Sequence, residues 1–256
     1  MTLPDLPIVL AGVLGLCIGS FLNVCIHRLP RGESLVHPPS RCPNCGYSLR
    51  WFQNLPILSW LALRGRCAGC GSAISARYPA VELMTAIVWV LLVWVTPVGW
   101  LLASRLVLAT ALIVLFMIDL EHQILPNSIT LPGIAVGFAF SLVTFPGPRD
   151  ALIGILVGGG VLYGIALAYY LIRKEEGMGM GDVKMLAMVG AFLGWRAVLV
   201  TLVLSSFAGA LIGVALMASQ RGSMRYALPF GTFLSIGALV AMLTGEQLVR
   251  WYMGFF

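Results

Sequence analysis

The stretch GWLLASRLVLATALIVLFMI, residues 99–118, runs apolar for the width of a bilayer and then stops at Asp119-Leu120-Glu121-His122. Roughly 20 apolar residues let a helix cross the hydrocarbon core, because each residue rises only about 1.5 Å. Lipid offers no water to satisfy backbone N–H and C=O groups, so such a stretch must be helical. It predicts a membrane span with an acid at its end.

The same pattern recurs on both sides. Apolar stretches fall at Leu6–Ile26, Pro79–Val95, Ser128–Phe145, Ala151–Ile172, Val183–Trp195, Ala197–Ala218 and Pro229–Thr244. Of the 256 residues 59% are apolar and 10% charged, and the mean hydropathy is +0.95. Soluble domains average roughly 45–50% apolar and about 25% charged. The composition excludes a soluble globular domain, a disordered chain and a nucleic-acid-binding module. The expected fold is all-α, a polytopic integral membrane protein of about eight transmembrane helices. Val183–Trp195 is short for a full crossing, and Thr96-Pro97-Val98-Gly99 leaves only a tight turn. Asp5, and no basic run, precedes the first stretch, so Leu6–Ile26 reads as a retained span. The expected division is a first transmembrane helix over 1–26, a polar domain over 27–78 and a helical membrane bundle over 79–256.

The net charge of +6 matters here through its distribution, since Lys and Arg gather on the cytoplasmic side. The polar segment holds Arg28, Arg31, Arg41, Arg50, Arg64, Arg66 and Arg77 against one acid, Glu33. If it is cytoplasmic, Arg173, Lys174, Lys184, Arg221 and Arg225 also fall inside, which leaves Arg105, Arg149, Arg196 and Arg250 outside. The expectation is a membrane protein with the polar segment inside and both termini outside.

Two CxxC pairs stand in the polar segment, Cys42-Pro-Asn-Cys45 and Cys67-Ala-Gly-Cys70. A CxxC knuckle aims two thiolates to one side of a turn, and two knuckles complete a tetrahedral sulfur shell for Zn2+. Gly46 and Gly71 follow the second cysteines, where a knuckle turn takes φ > 0. Four thiolates leave no open coordination position, so a structural metal is expected. Unrelated thiols or two local disulfides are the alternative, and no electron-transfer feature accompanies the set as an iron–sulfur cluster would require. Cys17 and Cys25 lie in the first span and read as packed thiols.

Acids are scarce, so their positions carry weight. Asp119 ends the third stretch, and Asp182 opens the sixth in Gly177-Met178-Gly179-Met180-Gly181-Asp182-Val183-Lys184. The expected topology puts both at the cytoplasmic ends of helices. Two converging carboxylates could share a proton, one activating water and the other polarising a peptide carbonyl. Taken singly, Asp119 also reads as a solvated helix-end acid beside Glu121. Asp182 also reads as a helix N-terminal charge paired with Lys184. His-Glu-x-x-His and Gly-x-Ser-x-Gly are both absent, which disfavours metalloprotease and serine-protease chemistry.

Taken in order, the motifs resemble the bacterial type IV prepilin peptidases, the leader peptidase/N-methyltransferases of the GxGD aspartyl protease class. The resemblance runs over nearly the whole chain: Gly19-Ser20-Phe21-Leu22-Asn23-Val24, His27-Arg28-Leu29-Pro30, both CxxC pairs, Leu63-Arg64-Gly65-Arg66-Cys67, Arg77-Tyr78-Pro79-Ala80-Val81-Glu82, Asp119 to Pro126, Gly179 to Lys184, and Pro229-Phe230-Gly231. It implies that Asp119 and Asp182 are the catalytic pair and cut a short basic leader from prepilins or pseudopilins. It also implies that the new N-terminal amine is then methylated with S-adenosylmethionine, and it links Cys42, Cys45, Cys67 and Cys70 to zinc. Many relatives read Leu-Pro-Asp where this chain has Asn127, and Pro-Phe-Gly-Pro where it has Thr232. No motif assigns a residue to the methyl donor. Glu82, an acid inside the second span, is expensive in lipid unless paired; Arg77 and the substrate's amine or leader are its candidate partners. The competing readings are a polytopic transporter, against which no acid lies at a span's midpoint, and a non-catalytic scaffold of a secretion assembly.

Overall fold

Glycines decide how the first membrane helices meet. In α1 (Asp5–Arg28), Gly15 and Gly19 face α3 (Arg77–Val95). A Cβ on Gly15 would come within 2.7 Å of Ala86 Cα, and one on Gly19 within 2.6 Å of Glu82 Cα. Only residues without side chains let two backbones approach so closely in a bilayer. Asn23, buried on α1, donates to the Tyr78 carbonyl at 3.1 Å and so ties the ends of the two helices.

The computed structural model describes residues 5–175, 177–218 and 229–254. Among them every regular element is helical, and the only β pairing is two isolated bridges, Arg41–Ser48 and Arg66–Ala73. The chain forms two units, Met1–Val98 and Gly99–Phe256. The second span therefore groups with the first by contact, although polarity alone had drawn the line at Tyr78.

In the first unit, the polar segment leaves α1 through a 3₁₀ turn at Leu29–Arg31. The Arg28 guanidinium donates to the carbonyls of Ser34 at 2.7 Å and Pro38 at 2.6 Å, which folds the chain back on its helix. A 3₁₀ turn at Trp51–Asn54 and the short α2 (Leu58–Ala62) lie between the CxxC pairs. Glu82 accepts the Ile57 N–H at 2.7 Å and the Ser20 hydroxyl. These two donors satisfy the buried carboxylate from within the same unit.

The second unit contains α4 (Trp100–His122), α5 (Asn127–Ser141), α6 (Pro148–Arg173), α7 (Met180–Ala218) and α8 (Phe230–Met253). By length and hydropathy α1, α3, α4, α6 and α7 can each cross a membrane; α5 and the Phe230–Gly245 part of α8 are shorter apolar helices. Gly194 (φ 78°, ψ 173°) leaves helical geometry and divides α7. A continuous helix would separate Asp182 from Ser205 by roughly 35 Å. Yet Leu125 packs both on Gly181, next to Asp182, and on Gly231, which abuts Asp119, while Ser205 donates to the Phe233 carbonyl at 3.0 Å, one residue from the Thr232 that binds Asp119. Both arms therefore return to the same end, and the chain reverses at Gly194. The expected stretches Val183–Trp195 and Ala197–Ala218 are the two arms of this hairpin. Glycines close the α6 packing, since a Cβ on Gly158 would meet the Leu186 carbonyl at 2.5 Å. Arg221 and Arg225 fall outside the described residues.

Candidate active site

Helix α4 ends just beyond Asp119. Gln123 takes the left-handed conformation (φ 55°, ψ 37°) and its N–H returns to the Asp119 carbonyl at 2.9 Å, a helix stop that satisfies an orphan carbonyl. Gln123-Ile124-Leu125-Pro126 then leads into α5. Asp182 lies in the first turn of α7, where an acid faces the positive end of the helix dipole, and its N–H donates to Gly179 at 3.2 Å.

The two acids, 63 residues apart in sequence, come together. Asp119 is 5% exposed and Asp182 9%, and Leu125 packs against a glycine beside each of them. The reading of Asp119 as a solvated helix-end acid is thereby corrected: the apolar end of the bundle encloses it. Its Oδ2 accepts the Thr232 N–H at 2.6 Å and the Thr232 hydroxyl at 3.0 Å. Thr232 follows Gly231 at the start of α8, and a Cβ on Gly231 would lie 3.0 Å from Asp119 Oδ2 and 2.9 Å from Leu125 Cδ1. A Cβ on Gly181 would lie 2.8 Å from Leu125 Cβ. Leu125 thus wedges between the glycine before Asp182 and the glycine beside Asp119.

Lys184 donates to Asn127 Oδ1 at 2.9 Å, so its ammonium joins the start of α5 and not the carboxylate of Asp182. The sequence marked Asn127 and Thr232 only as departures from a pattern. Threonine in place of proline carries two donors that proline lacks, and that is the signal by which the Asp119 contact could have been found. Two buried carboxylates within electrostatic reach do not both ionise cheaply. Such a pair can pass a proton between water and a peptide bond.

The polar segment brings its four cysteines together. Each pair forms the same turn: Cys42 N–H to Tyr47 and Gly46 N–H to Cys42, both at 2.9 Å, are repeated by Cys67 to Ser72 at 2.8 Å and Gly71 to Cys67 at 2.9 Å. Gly46 (φ 72°) and Gly71 (φ 71°) take the positive φ expected of them. The four sulfurs lie within 4.8 Å of one another, with Cys42–Cys70 at 3.9 Å and Cys45–Cys67 at 4.0 Å. A tetrahedral ZnS4 shell with about 2.3 Å bonds has edges of roughly 3.8 Å, so the cluster could hold such an ion. Backbone N–H groups of Cys45 and Asn44 pull the Cys42 thiol down to about 6, while burial and the neighbouring thiols push Cys45 up to about 11, so the four crowded sulfurs do not give up their protons together without a cation between them.

The Bacterial Peptidase A24 N-terminal domain family matches residues 13–96, and the Type IV leader peptidase family matches residues 106–214. A protein of Aeromonas salmonicida (strain A449) named prepilin leader peptidase/N-methyltransferase is 39% identical over 277 residues, covering 98% of this chain and 95% of that one. Namesakes from Aeromonas hydrophila and Pseudomonas aeruginosa PAO1 are 40% and 37% identical, with 98% and 95% of this chain covered and 95% and 92% of theirs. No solved structure gives a significant match. With both family domains in order, relatives aligned along almost its full length and an all-helical membrane fold, the chain belongs to the type IV leader peptidase family, and is a peptidase with methyltransferase activity.

Proposed function

We propose that this chain is a membrane aspartyl endopeptidase. It removes the short basic leader of type IV prepilins or pseudopilins at the cytoplasmic membrane face, then methylates the new N-terminal residue with S-adenosylmethionine as co-substrate. The observation that carries the reading is the burial of Asp119 and Asp182 together, at helix ends, with Asp119 oriented by Thr232.

The chemistry follows from two carboxylates that hold one proton between them. The ionised acid takes a proton from water as that water attacks the scissile carbonyl, while the protonated acid donates to the carbonyl oxygen. Collapse of the tetrahedral species passes a proton to the departing amine, which leaves as the new N-terminus. Thr232 occupies Oδ2 of Asp119, so Oδ1 is the oxygen that Thr232 leaves open. A precursor with a charged leader in water and an apolar helix in lipid presents its scissile bond at the interface. Helix-end acids suit that depth.

Cys42, Cys45, Cys67 and Cys70 would hold a structural Zn2+ that pins the two knuckles of the polar domain. The arginine count supports an inner-membrane protein with the polar domain inside and both termini outside. The test is mass spectrometry of a prepilin co-expressed with this chain in cells that lack their own peptidase. Loss of the leader and gain of one methyl group on the new N-terminus are expected. A full-length, unmodified precursor refutes the reading.

A further inference from the structure

Between the CxxC knuckles the chain makes an excursion with two chemically different sides. Trp60 turns inward: a Cβ on Gly65 would come within 2.9 Å of its ring, and its Nε1–H donates to the Ile74 carbonyl at 3.2 Å. Trp51, Phe52, Leu55, Leu58 and Leu61 turn outward and are 44–80% exposed. Trp51 and Phe52 stack edge to face with centroids 5.8 Å apart, and Leu55, Leu58 and Leu61 follow them within ten residues, each exposed. Large apolar groups gathered in this way mark a contact surface, since burying them is worth far more than solvating them.

The depth of the excursion identifies what it contacts. Ile57 sits in the left-handed region at φ 60°, ψ −50°, a costly conformation for a β-branched residue. Its N–H is held at 2.7 Å by Oε2 of Glu82. Glu82 lies inside α3, a helix long and apolar enough to cross the membrane, and its backbone packs on Gly19 of α1. The excursion is therefore fastened to two spans at a point past the start of the second. Leu55 and Leu58 flank that point. Charge completes the picture: Arg50 and Arg64 bracket the excursion, both exposed, and Glu33 is the only acid between residues 27 and 78.

We propose that this excursion is an interfacial anchor for an anionic bilayer. Trp51, Phe52, Leu55, Leu58 and Leu61 enter the boundary between headgroups and acyl chains, while Arg50 and Arg64 engage lipid phosphates. Tryptophan beside leucine, with arginine at the polar edge, is the composition that this layer selects. The Glu82–Ile57 hydrogen bond sets the depth, and the anchor holds the cysteine domain against the membrane surface.

The test uses the full chain in nanodiscs of phosphatidylcholine and phosphatidylglycerol whose acyl chains carry bromine, a contact quencher of tryptophan. The difference between wild type and Trp51→Phe isolates the emission of Trp51. It is expected to be quenched by the brominated lipid and shielded from aqueous acrylamide. That quenching is expected to fall by roughly half or more in pure phosphatidylcholine, and likewise in Arg50→Gln/Arg64→Gln. Trp51 emission quenched by acrylamide and untouched by bromine would place the cluster in water, facing a protein, and overturn the proposal. Bromine quenching indifferent to phosphatidylglycerol overturns it as well, because the arginines would then have no lipid partner.

Discussion

Thr232 grips a single oxygen of Asp119 twice, through its backbone N–H at 2.6 Å and its hydroxyl at 3.0 Å. The contact joins the end of α4 to the start of α8 across 113 residues. A proline at this position would have no N–H to give, so the contact depends on Thr232 supplying both donors.

Thr232→Val keeps the N–H and removes the hydroxyl, and Thr232→Pro removes both. A hydrogen bond to a charged group is worth about 1.5–3 kcal/mol, which bounds the loss for Thr232→Val at roughly ten- to hundredfold in kcat. Thr232→Ser should stay near wild type. Leader-cleavage kinetics on a purified prepilin in detergent check this, with KM expected to change little.

Gly231→Ala should inactivate by crowding. Its Cβ would lie 3.0 Å from Asp119 Oδ2 and 2.9 Å from Leu125 Cδ1, so either the acid or the leucine must move. Adding Leu125→Ala gives the methyl group room on one side. Partial recovery of cleavage in the double variant, at unchanged helical content, is the expected result; no recovery would mean that the acid alone carries the clash.

Lys184 and Asn127 are predicted to act as a pair that sets α5 against the start of α7, since Nζ and Oδ1 meet at 2.9 Å on the surface. Exposed polar pairs contribute about 0.2–1 kcal/mol, so Asn127→Ala and Lys184→Ala should each cost only a few-fold. Their double variant should cost less than the product of the two. Asn127→Asp should retain activity and acquire salt sensitivity, because an ion pair replaces a neutral acceptor. Rates measured at two ionic strengths decide it.

The cysteine cluster should carry one metal ion per chain. Cys42→Ser with Cys70→Ser opens the set on both knuckles, whose sulfurs approach to 3.9 Å. Zinc measured by mass spectrometry should fall to background, and limited proteolysis should cut within residues 27–78. The helical signal should hardly change, since α1 and α3 meet through Gly15 and Gly19 and not through the cysteines.

The spans were legible because lipid imposes a length and a polarity on any helix that crosses it. Both knuckles were legible too, down to the positive φ of Gly46 and Gly71, because a CxxC turn dictates its own geometry. Asp119 and Asp182 stood out by scarcity, and their placement at helix ends followed from hydropathy. What resisted reading are contacts between a backbone group and a distant side chain. The Ile57 amide on Glu82 and the Thr232 amide on Asp119 leave no periodicity in the sequence. The hairpin inside α7, by contrast, was legible as two stretches parted at Arg196, with its turn falling at Gly194.

Mass spectrometry of a prepilin co-expressed with Asp119→Asn or with Asp182→Asn tests the central claim most directly, because asparagine preserves shape and removes the acid. Each variant, present in the membrane at wild-type level, should leave the leader attached and the precursor unmethylated. Leader removal at the wild-type position by either variant would contradict an aspartate pair as the source of the chemistry.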